Sequence, residues 1–172
     1  MCGIVSYLGK CDSVPILLKG LERLEYRGYD SAGLALIDGD NLSCMKQSGK
    51  VSELNSKIEK ISMKGSYGIA HTRWATHGPP NDTNAHPHLD QKGKIALVHN
   101  GIIENYSSIK MTLEGRGIEF TSDTDTEVLV QLISELYYNN DKKVSFENAV
   151  KAALQEVVGA YGIVAICVDE PG

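Results

Sequence analysis

The spacing of apolar residues along the chain predicts short strands separated by helices. The first strand runs up to Leu8 and has Cys2 at its beginning. Residues 34–37 and 42–47 flank a turn at 38–41 and are typical of a β-hairpin. Further strands are predicted at 67–70, 95–98 and 163–168, the last one after a turn at 159–162.

Apolar residues three or four positions apart predict five helices. The first begins after Ser13, has Pro15 in its first turn and includes Ile16 in its apolar stripe. The second begins at Ser52 and turns Ile61 inwards. The others are predicted near 106–113, from the capping box Thr124-x-x-Glu127 onwards, and from 145 to 157.

The segment at 78–94 has no apolar period and is rich in Pro, Asn, Asp and His. This composition predicts a long loop, which is either functional or disordered. A length of 172 residues suits one domain. Hairpins mixed with amphipathic helices predict an α+β fold in which helices sandwich the sheets.

The net charge argues against two classes of partner, and the cysteine content indicates the redox compartment. The net charge is −5 and no Lys/Arg cluster offsets it, which argues against nucleic acid and membranes as partners. The four cysteines form no CxxC pair, and the sequence has no signal peptide or long apolar run. We therefore expect a reduced, cytoplasmic protein with free thiols.

Cys2 is the candidate nucleophile. Met1 precedes a small residue and is expected to be trimmed, which would leave a thiol and a free α-amine on Cys2. An α-amine has a pKa of about 7.7–8.0 and a thiol one of about 8.5, so the amine can serve as the base near neutral pH. The alternative is an inert cysteine in a buried strand.

Polar residues near predicted strand ends supply binding groups. Asn100 and Gly101 offer a side-chain NH₂ and a backbone N–H, the donors of an oxyanion hole. Arg73 can clamp a carboxylate through two hydrogen bonds, and Asp125 can hold an ammonium group. With Cys2 they predict a site for an α-amino acid that has a reactive carbonyl on its side chain.

Each of these residues also has a purely structural interpretation. Asn-Gly is typical of a hairpin turn, an arginine such as Arg73 often forms a surface ion pair, and the helix dipole favours Asp125 in a first turn. All five histidines lie between 71 and 99. Their spacing lacks the Cys or carboxylate partners of a zinc site, so we predict no metal and no other cofactor.

Several longer motifs resemble a known family. They are MCGIV (1–5), LEYRGYDSAG (24–33), HTRWATHG (71–78), NAHPH (84–88), VHNGIIENY (98–106) and SDTDTEV (122–128). In this order they are similar to the glutaminase domain of the glutamine–fructose-6-phosphate aminotransferases, or glucosamine-6-phosphate synthases. These are class II glutamine amidotransferases of the N-terminal-nucleophile hydrolase family. The resemblance runs from residue 2 to about residue 162.

The resemblance implies catalytic roles for four residues. Cys2 would be the nucleophile, with its own α-amine as the base, and Arg27 would help hold that N-terminus. Asn100 and Gly101 would form the oxyanion hole, and the Gly101 backbone would also help bind the α-ammonium group.

Substrate-binding roles are implied for five further residues. Arg73, with Thr76 and His77, would bind the glutamine α-carboxylate. Asp125 would bind the α-ammonium group. Trp74 would lie in a loop that closes over bound glutamine.

The fold implied by the resemblance is a four-layer αββα sandwich of two mainly antiparallel sheets. The reaction implied is hydrolysis of L-glutamine, with the ammonia passed to fructose 6-phosphate in the full enzyme. We expect residues 1–172 to be a C-terminally incomplete glutaminase domain that lacks the sugar isomerase domain. The sequence leaves open whether the full-length protein forms a homo-oligomer. The alternatives are a non-catalytic glutamine-binding or assembly module, or the glutaminase domain of another class II amidotransferase.

Overall fold

The computed structural model describes residues 2–28, 30–74, 78–139 and 144–171. The strands in these ranges are β1 (Gly3–Leu8), β2 (Ser31–Asp38), β3 (Asn41–Ser48), β4 (Tyr67–Arg73), β5 (His88–Leu89), β6 (Ile95–Ile103) and β7 (Gly159–Cys167). The α-helices are α1 (Val14–Leu24), α2 (Val51–Ile61), α3 (Tyr106–Glu114), α4 (Asp125–Tyr138) and α5 (Phe146–Glu156). A 3₁₀ turn at Glu25–Arg27 follows α1.

The strands form two antiparallel sheets. The first has the order β1-β4-β2-β3 and the second the order β5-β6-β7. The predicted hairpin is confirmed, because β2 and β3 pair continuously from Ser31 opposite Ser48 to Asp38 opposite Asn41.

Three apolar clusters separate four layers of secondary structure. The outer face of the first sheet packs on α1 and α2 through a cluster that includes Leu17, Leu34 and Leu54. The outer face of the second sheet packs on α3, α4 and α5. Between the sheets lie Ala35, Ile69, Ala96 and Val98, all fully buried. The predicted α+β fold, a four-layer sandwich of antiparallel sheets, is confirmed.

The turn predicted at 159–162 and the Asn-Gly turn that was the structural alternative for residues 100 and 101 are both strands in the structure. Residues 100–103 continue β6 and residues 159–162 begin β7, and the two segments pair with each other from Asn100–Gly162 to Ile103–Gly159. Local turn preference is weaker here than the ladder hydrogen bonds that each segment offers the other. Gly101 therefore belongs to a central strand, although its φ of +128° is one that side chains rarely adopt.

The predicted loop at 78–94 is buried only in its middle, at residues 84–88 and 90, and is mostly exposed at both ends. It contains the short strand β5, which pairs with β6. Residues Asn84, Ala85, His86 and His88 are buried. At its end, the Asp90 carboxylate accepts hydrogen bonds from Lys94 N and Ile95 N, both at 2.8 Å.

Some helix predictions need correction. Ile16 and Ile61 are 41% and 54% exposed, because the buried stripe of α1 runs through Leu17 and Leu21 and Ile61 is the last residue of α2. Thr124 Oγ1 accepts from Glu127 N at 3.3 Å, as a capping box requires. The Glu127 carboxylate does not complete the box, because it binds the backbone and hydroxyl groups of residues 121 and 122. None of the helices in the described ranges is long and apolar enough to cross a membrane.

Candidate active site

Three strands bring polar side chains to one end of the layer between the sheets. Side chains alternate between the two faces of a strand, so residues two apart share a face. Apolar residues packed between the sheets share their face with polar residues two or four positions away. These are Ile4 with Cys2, which immediately precedes β1, Ile69 with His71 and Arg73 on β4, and Val98 with Asn100 on β6.

These polar side chains border a cavity of about 380 Å³. A volume of this size lies within the range of about 300–1,000 Å³ that is typical of small-molecule sites. Seven of the predicted site residues line the cavity: Cys2, Arg27, Arg73, Trp74, Asn100, Gly101 and Asp125. Thr76 and His77, which were also predicted, lie outside the described residues.

The Cys2 thiol is half-buried and contacts the backbone at the end of β4. Trp74 N–H donates a hydrogen bond to Cys2 Sγ at 3.2 Å, and Cys2 Sγ lies 3.6 Å from Trp74 O. These two contacts hold the sulfur of Cys2 beside Trp74, at the border of the cavity.

The other three cysteines differ from Cys2. Cys11 is exposed, and neither Cys44 nor Cys167 lines the cavity. Burial raises the pKa of the Cys44 thiol to about 11 and also raises the pKa of Cys167. Both thiols therefore stay protonated at neutral pH and are poor nucleophiles.

Asn100 and Gly101 bring two candidate hydrogen-bond donors to the cavity. Asn100 Oδ1 lies 2.9 Å from His71 Nε2. A hydrogen on that nitrogen would orient the carboxamide so that Nδ2 is free to donate elsewhere. A Cβ atom on Gly101 would lie 2.2 Å from Ala160 O, so no other residue fits this position.

The pairing of β6 indicates where the Gly101 N–H points. Even-numbered residues of this segment bond towards β7, since Glu104 N donates to Val158 O at 2.8 Å and Val168 N to Lys94 O at 2.9 Å. Odd-numbered residues bond towards the opposite edge, where Ile103 N donates to Asp125 Oδ2 at 2.8 Å. Because antiparallel ladders alternate in this way, we infer that the Gly101 N–H points to that edge as well.

Asp125 is the first residue of α4 and is 5% exposed. Its Oδ2 accepts the hydrogen bond from Ile103 N, and its Oδ1 lies 3.8 Å from His99 Nδ1. The helix N-terminus stabilises a negative charge here. Asp125 thus combines two uses, because it fixes the end of β6 and presents a carboxylate to the cavity.

Arg73 ends β4 and is 4% exposed. Its Nη1 donates to Pro79 O at 3.4 Å, and Asn84 Nδ2 donates to the same oxygen at 3.1 Å. These contacts tie the guanidinium to the loop that follows β4. A buried guanidinium beside a cavity is suited to binding a carboxylate through two parallel hydrogen bonds.

Arg27 and Trp74 complete the set of predicted residues. Arg27 is half-buried in the 3₁₀ turn after α1 and lines the cavity beside the N-terminal strand. Trp74 is 50% exposed at the rim, which is where a side chain that covers the cavity would lie.

Buried histidines surround the inner wall of the site. Burial lowers the pKa of His71 to about 4, and it holds the pKa values of His86 and His88 well below their usual range. All three are therefore neutral at pH 7. Within the described ranges, no group of three or more His, Cys, Asp or Glu residues could hold a metal ion.

Sequence reasoning missed several residues of the cavity wall. They are His86, His99, Ile102, Thr124 and Thr126. It also missed His71, which contacts Asn100. The alternation Ile69-x-His71-x-Arg73 would have identified His71, had the predicted strand not ended at residue 70.

The family described as glutamine amidotransferase domain matches residues 43–144, more than half of the chain. The chain therefore belongs to the glutamine amidotransferase domain family.

Its relatives include larger enzymes. Glutamine–fructose-6-phosphate aminotransferase (isomerizing) of Bacteroides thetaiotaomicron is 55% identical over 172 residues, covering 99% of this chain and 28% of that protein. The protein of the same name from Chlorobaculum tepidum is 52% identical, with the same coverage. The glutamine phosphoribosylpyrophosphate amidotransferase of B. subtilis, solved with ADP and GMP, has a TM-score of 0.79 and 30% identity, covering 97% of this chain and 35% of its own. This chain thus spans about 28% of the curated relatives it matches.

Proposed function

We propose that this chain hydrolyses L-glutamine to glutamate and ammonia. One observation carries the proposal: a thiol, two oxyanion donors, a buried guanidinium and a buried carboxylate border the same cavity. The residues are Cys2, Asn100, Gly101, Arg73 and Asp125. Membership of the glutamine amidotransferase domain family supports the same reaction.

The proposed reaction begins with attack of the Cys2 thiolate on the side-chain carboxamide carbon of glutamine. The α-amine of Cys2, once Met1 is removed, takes the thiol proton and later delivers it to the departing nitrogen. Asn100 Nδ2 and Gly101 N–H stabilise the tetrahedral oxyanion. Ammonia leaves, and water then hydrolyses the γ-glutamyl thioester to release glutamate.

Binding of the amino-acid end uses the two buried charges. Arg73 would pair with the α-carboxylate and Asp125 with the α-ammonium group. We propose that Thr76 and His77 assist at the carboxylate and that Trp74 covers the bound substrate. Arg27 would steady the N-terminus of the chain.

The use of the ammonia is a separate proposal. The curated relatives are named glutamine–fructose-6-phosphate aminotransferases, and this chain spans about 28% of their length. We propose that residues 1–172 are the glutaminase domain of such an enzyme and that sugar-phosphate chemistry belongs to residues outside this range. This chain alone should form no amino sugar from glutamine and fructose 6-phosphate.

The test is an assay of the chain with a free Cys2 α-amine. We expect glutamate and ammonia in equal amounts from L-glutamine, and neither product from the Cys2→Ala variant. L-Asparagine, whose side chain is one methylene shorter, should be a much poorer substrate. Binding of glutamine by calorimetry without formation of glutamate would instead identify a non-catalytic binding module.

A further inference from the structure

The orientation of the Asn100 carboxamide decides whether it can stabilise an oxyanion. A carboxamide has a donor end and an acceptor end, and a half-turn about its last side-chain bond exchanges them. Only Nδ2 can donate to an oxyanion. The partner that binds Oδ1 on the far side therefore sets the function of this side chain, and that partner is His71 Nε2 at 2.9 Å.

His71 is held in place for this contact. It lies on β4, is fully buried and shares the interlayer face with Arg73. Since burial lowers its pKa to about 4, the ring is neutral at pH 7 and carries one hydrogen. A hydrogen on Nε2 binds Oδ1 and leaves Nδ2 for the cavity; a hydrogen on Nδ1 would make Nε2 an acceptor and rotate the carboxamide by a half-turn.

Two neighbours bear on the choice of tautomer. His71 Nδ1 is buried without a hydrogen-bond partner among the described residues. A buried N–H without a partner is rarer than a buried acceptor without one, which favours the hydrogen on Nε2. His86 Nδ1 lies 3.3 Å from the same Nε2. A hydrogen on His71 Nε2 therefore requires His86 to carry its own hydrogen on Nε2, because two N–H groups cannot point at each other.

We propose that His71 is a positioning residue, whose Nε2–H holds Asn100 with its NH₂ group turned towards the cavity. This inference rests on the proposed glutaminase function, because it gives Asn100 Nδ2 the oxyanion as its acceptor. His71 itself is separated from the substrate by Asn100 and takes no part in bond making.

The first test compares three replacements of His71 by steady-state kinetics with L-glutamine. His71→Phe removes both ring nitrogens. His71→Gln can place an amide N–H near the position of Nε2, and His71→Asn places one near Nδ1, out of reach of Asn100. We expect His71→Phe and His71→Asn to lower kcat about 10–100-fold, less than loss of the donor itself, with KM little changed. His71→Gln should recover most of kcat.

A double-mutant cycle separates positioning from general disruption of the fold. If His71 acts through Asn100, His71→Phe should slow an Asn100→Ala enzyme by less than twofold. His88→Phe is the matched control, since His88 is also buried but binds Thr124 Oγ1 at 3.0 Å. Any loss caused by His88→Phe should multiply with that of Asn100→Ala. A multiplicative loss for His71→Phe, or a kcat within twofold of the unchanged protein, would overturn the proposal.

The tautomer can be read from the unchanged protein even if a variant fails to fold. Nitrogen-15 chemical shifts of the His71 ring should show a protonated Nε2 and an unprotonated Nδ1. The reverse pattern would overturn the proposal. An unchanged protein that forms no glutamate would refute the proposed function instead, and the two failures are therefore distinguishable.

Discussion

The layer between the two sheets has an apolar part and a polar part, and strands β4 and β6 contribute to both. The apolar part is Ala35, Ile69, Ala96 and Val98; the polar part is Cys2, His71, Arg73 and Asn100. The first is held by contact area, which does not depend on direction. The second is held by individual hydrogen bonds, each of which also orients a group at the cavity. Substitutions in the first part should therefore reduce stability, and those in the second should reduce turnover.

The largest effect should come from any residue left ahead of Cys2. An amide nitrogen cannot accept the thiol proton, so we expect no measurable glutaminase activity from a chain with an uncleaved N-terminal extension. Cleavage that exposes the Cys2 α-amine should restore the rate.

Cys11→Ser in the cleaved chain is a control for general thiol loss, because Cys11 is exposed and outside the cavity. Its rate should equal that of the unchanged chain. Equal rates with and without the extension would exclude the α-amine as the base.

The next prediction compares one substitution in each part of the layer, both of them on β6. Asn100→Ala removes one oxyanion donor and should lower kcat by about 10²–10³, or ~2.7–4 kcal/mol, with KM little changed. Val98→Ala lies two residues earlier on the same face and removes only apolar volume.

Val98→Ala should lower the free energy of unfolding by about 1–3 kcal/mol and leave kcat within about twofold at temperatures where it is folded. Steady-state kinetics and urea unfolding of both variants make the comparison. If kcat of Asn100→Ala stays within about threefold, Asn100 is a structural residue only.

The secondary structure that encloses the apolar part of the layer was more predictable from the sequence than the contacts of the polar part. The β2–β3 hairpin, five helices and the sandwich arrangement follow from residue spacing. The ends of β6 and β7 do not, because Asn100-Gly101 and residues 159–162 have turn-like sequences whose extended form depends on pairing with each other. The sequence of neither segment indicates which other segment it pairs with.

The polar part was predicted as residue types but not as contacts. Motifs identified Cys2, Arg73 and Asp125, which do line one cavity. The hydrogen bond of His71 to Asn100 joins residues on different sheets. Such a contact depends on how the sheets face each other, which the spacing of apolar residues leaves undetermined.

A smaller effect concerns the pH dependence of stability. His71 has a folded-state pKa of about 4, below the value of about 6.5 expected in the unfolded chain. The unfolded state therefore binds more protons between these values, and the stability from neutral His71 is present above about pH 6.5 and lost as the pH falls towards 4. Proton uptake by His71 in the unfolded state should by itself lower the free energy of unfolding by about 2 kcal/mol between pH 7 and pH 5.

Urea unfolding at several pH values measures this slope. His71→Gln should flatten it, because glutamine does not titrate. His86→Gln should do the same, since the pKa of His86 is also lowered by burial. An unchanged slope in both variants would mean that these rings do not gain protons on unfolding.

The smallest effect should come from Arg73→Lys. Lysine keeps the positive charge but loses the two parallel hydrogen bonds that a guanidinium offers a carboxylate. The carboxylate of glutamine is remote from the bond that breaks, so its contact should be similar in the ground and transition states. We therefore expect KM to rise about tenfold, or ~1.4 kcal/mol, with a smaller change in kcat. Arg116→Lys is the matched control, since Arg116 is 54% exposed and pairs with Glu135 at 3.3 Å. Arg116→Lys should leave both KM and kcat unchanged. A large fall in kcat with an unchanged KM in Arg73→Lys would assign Arg73 to the chemical step rather than to binding.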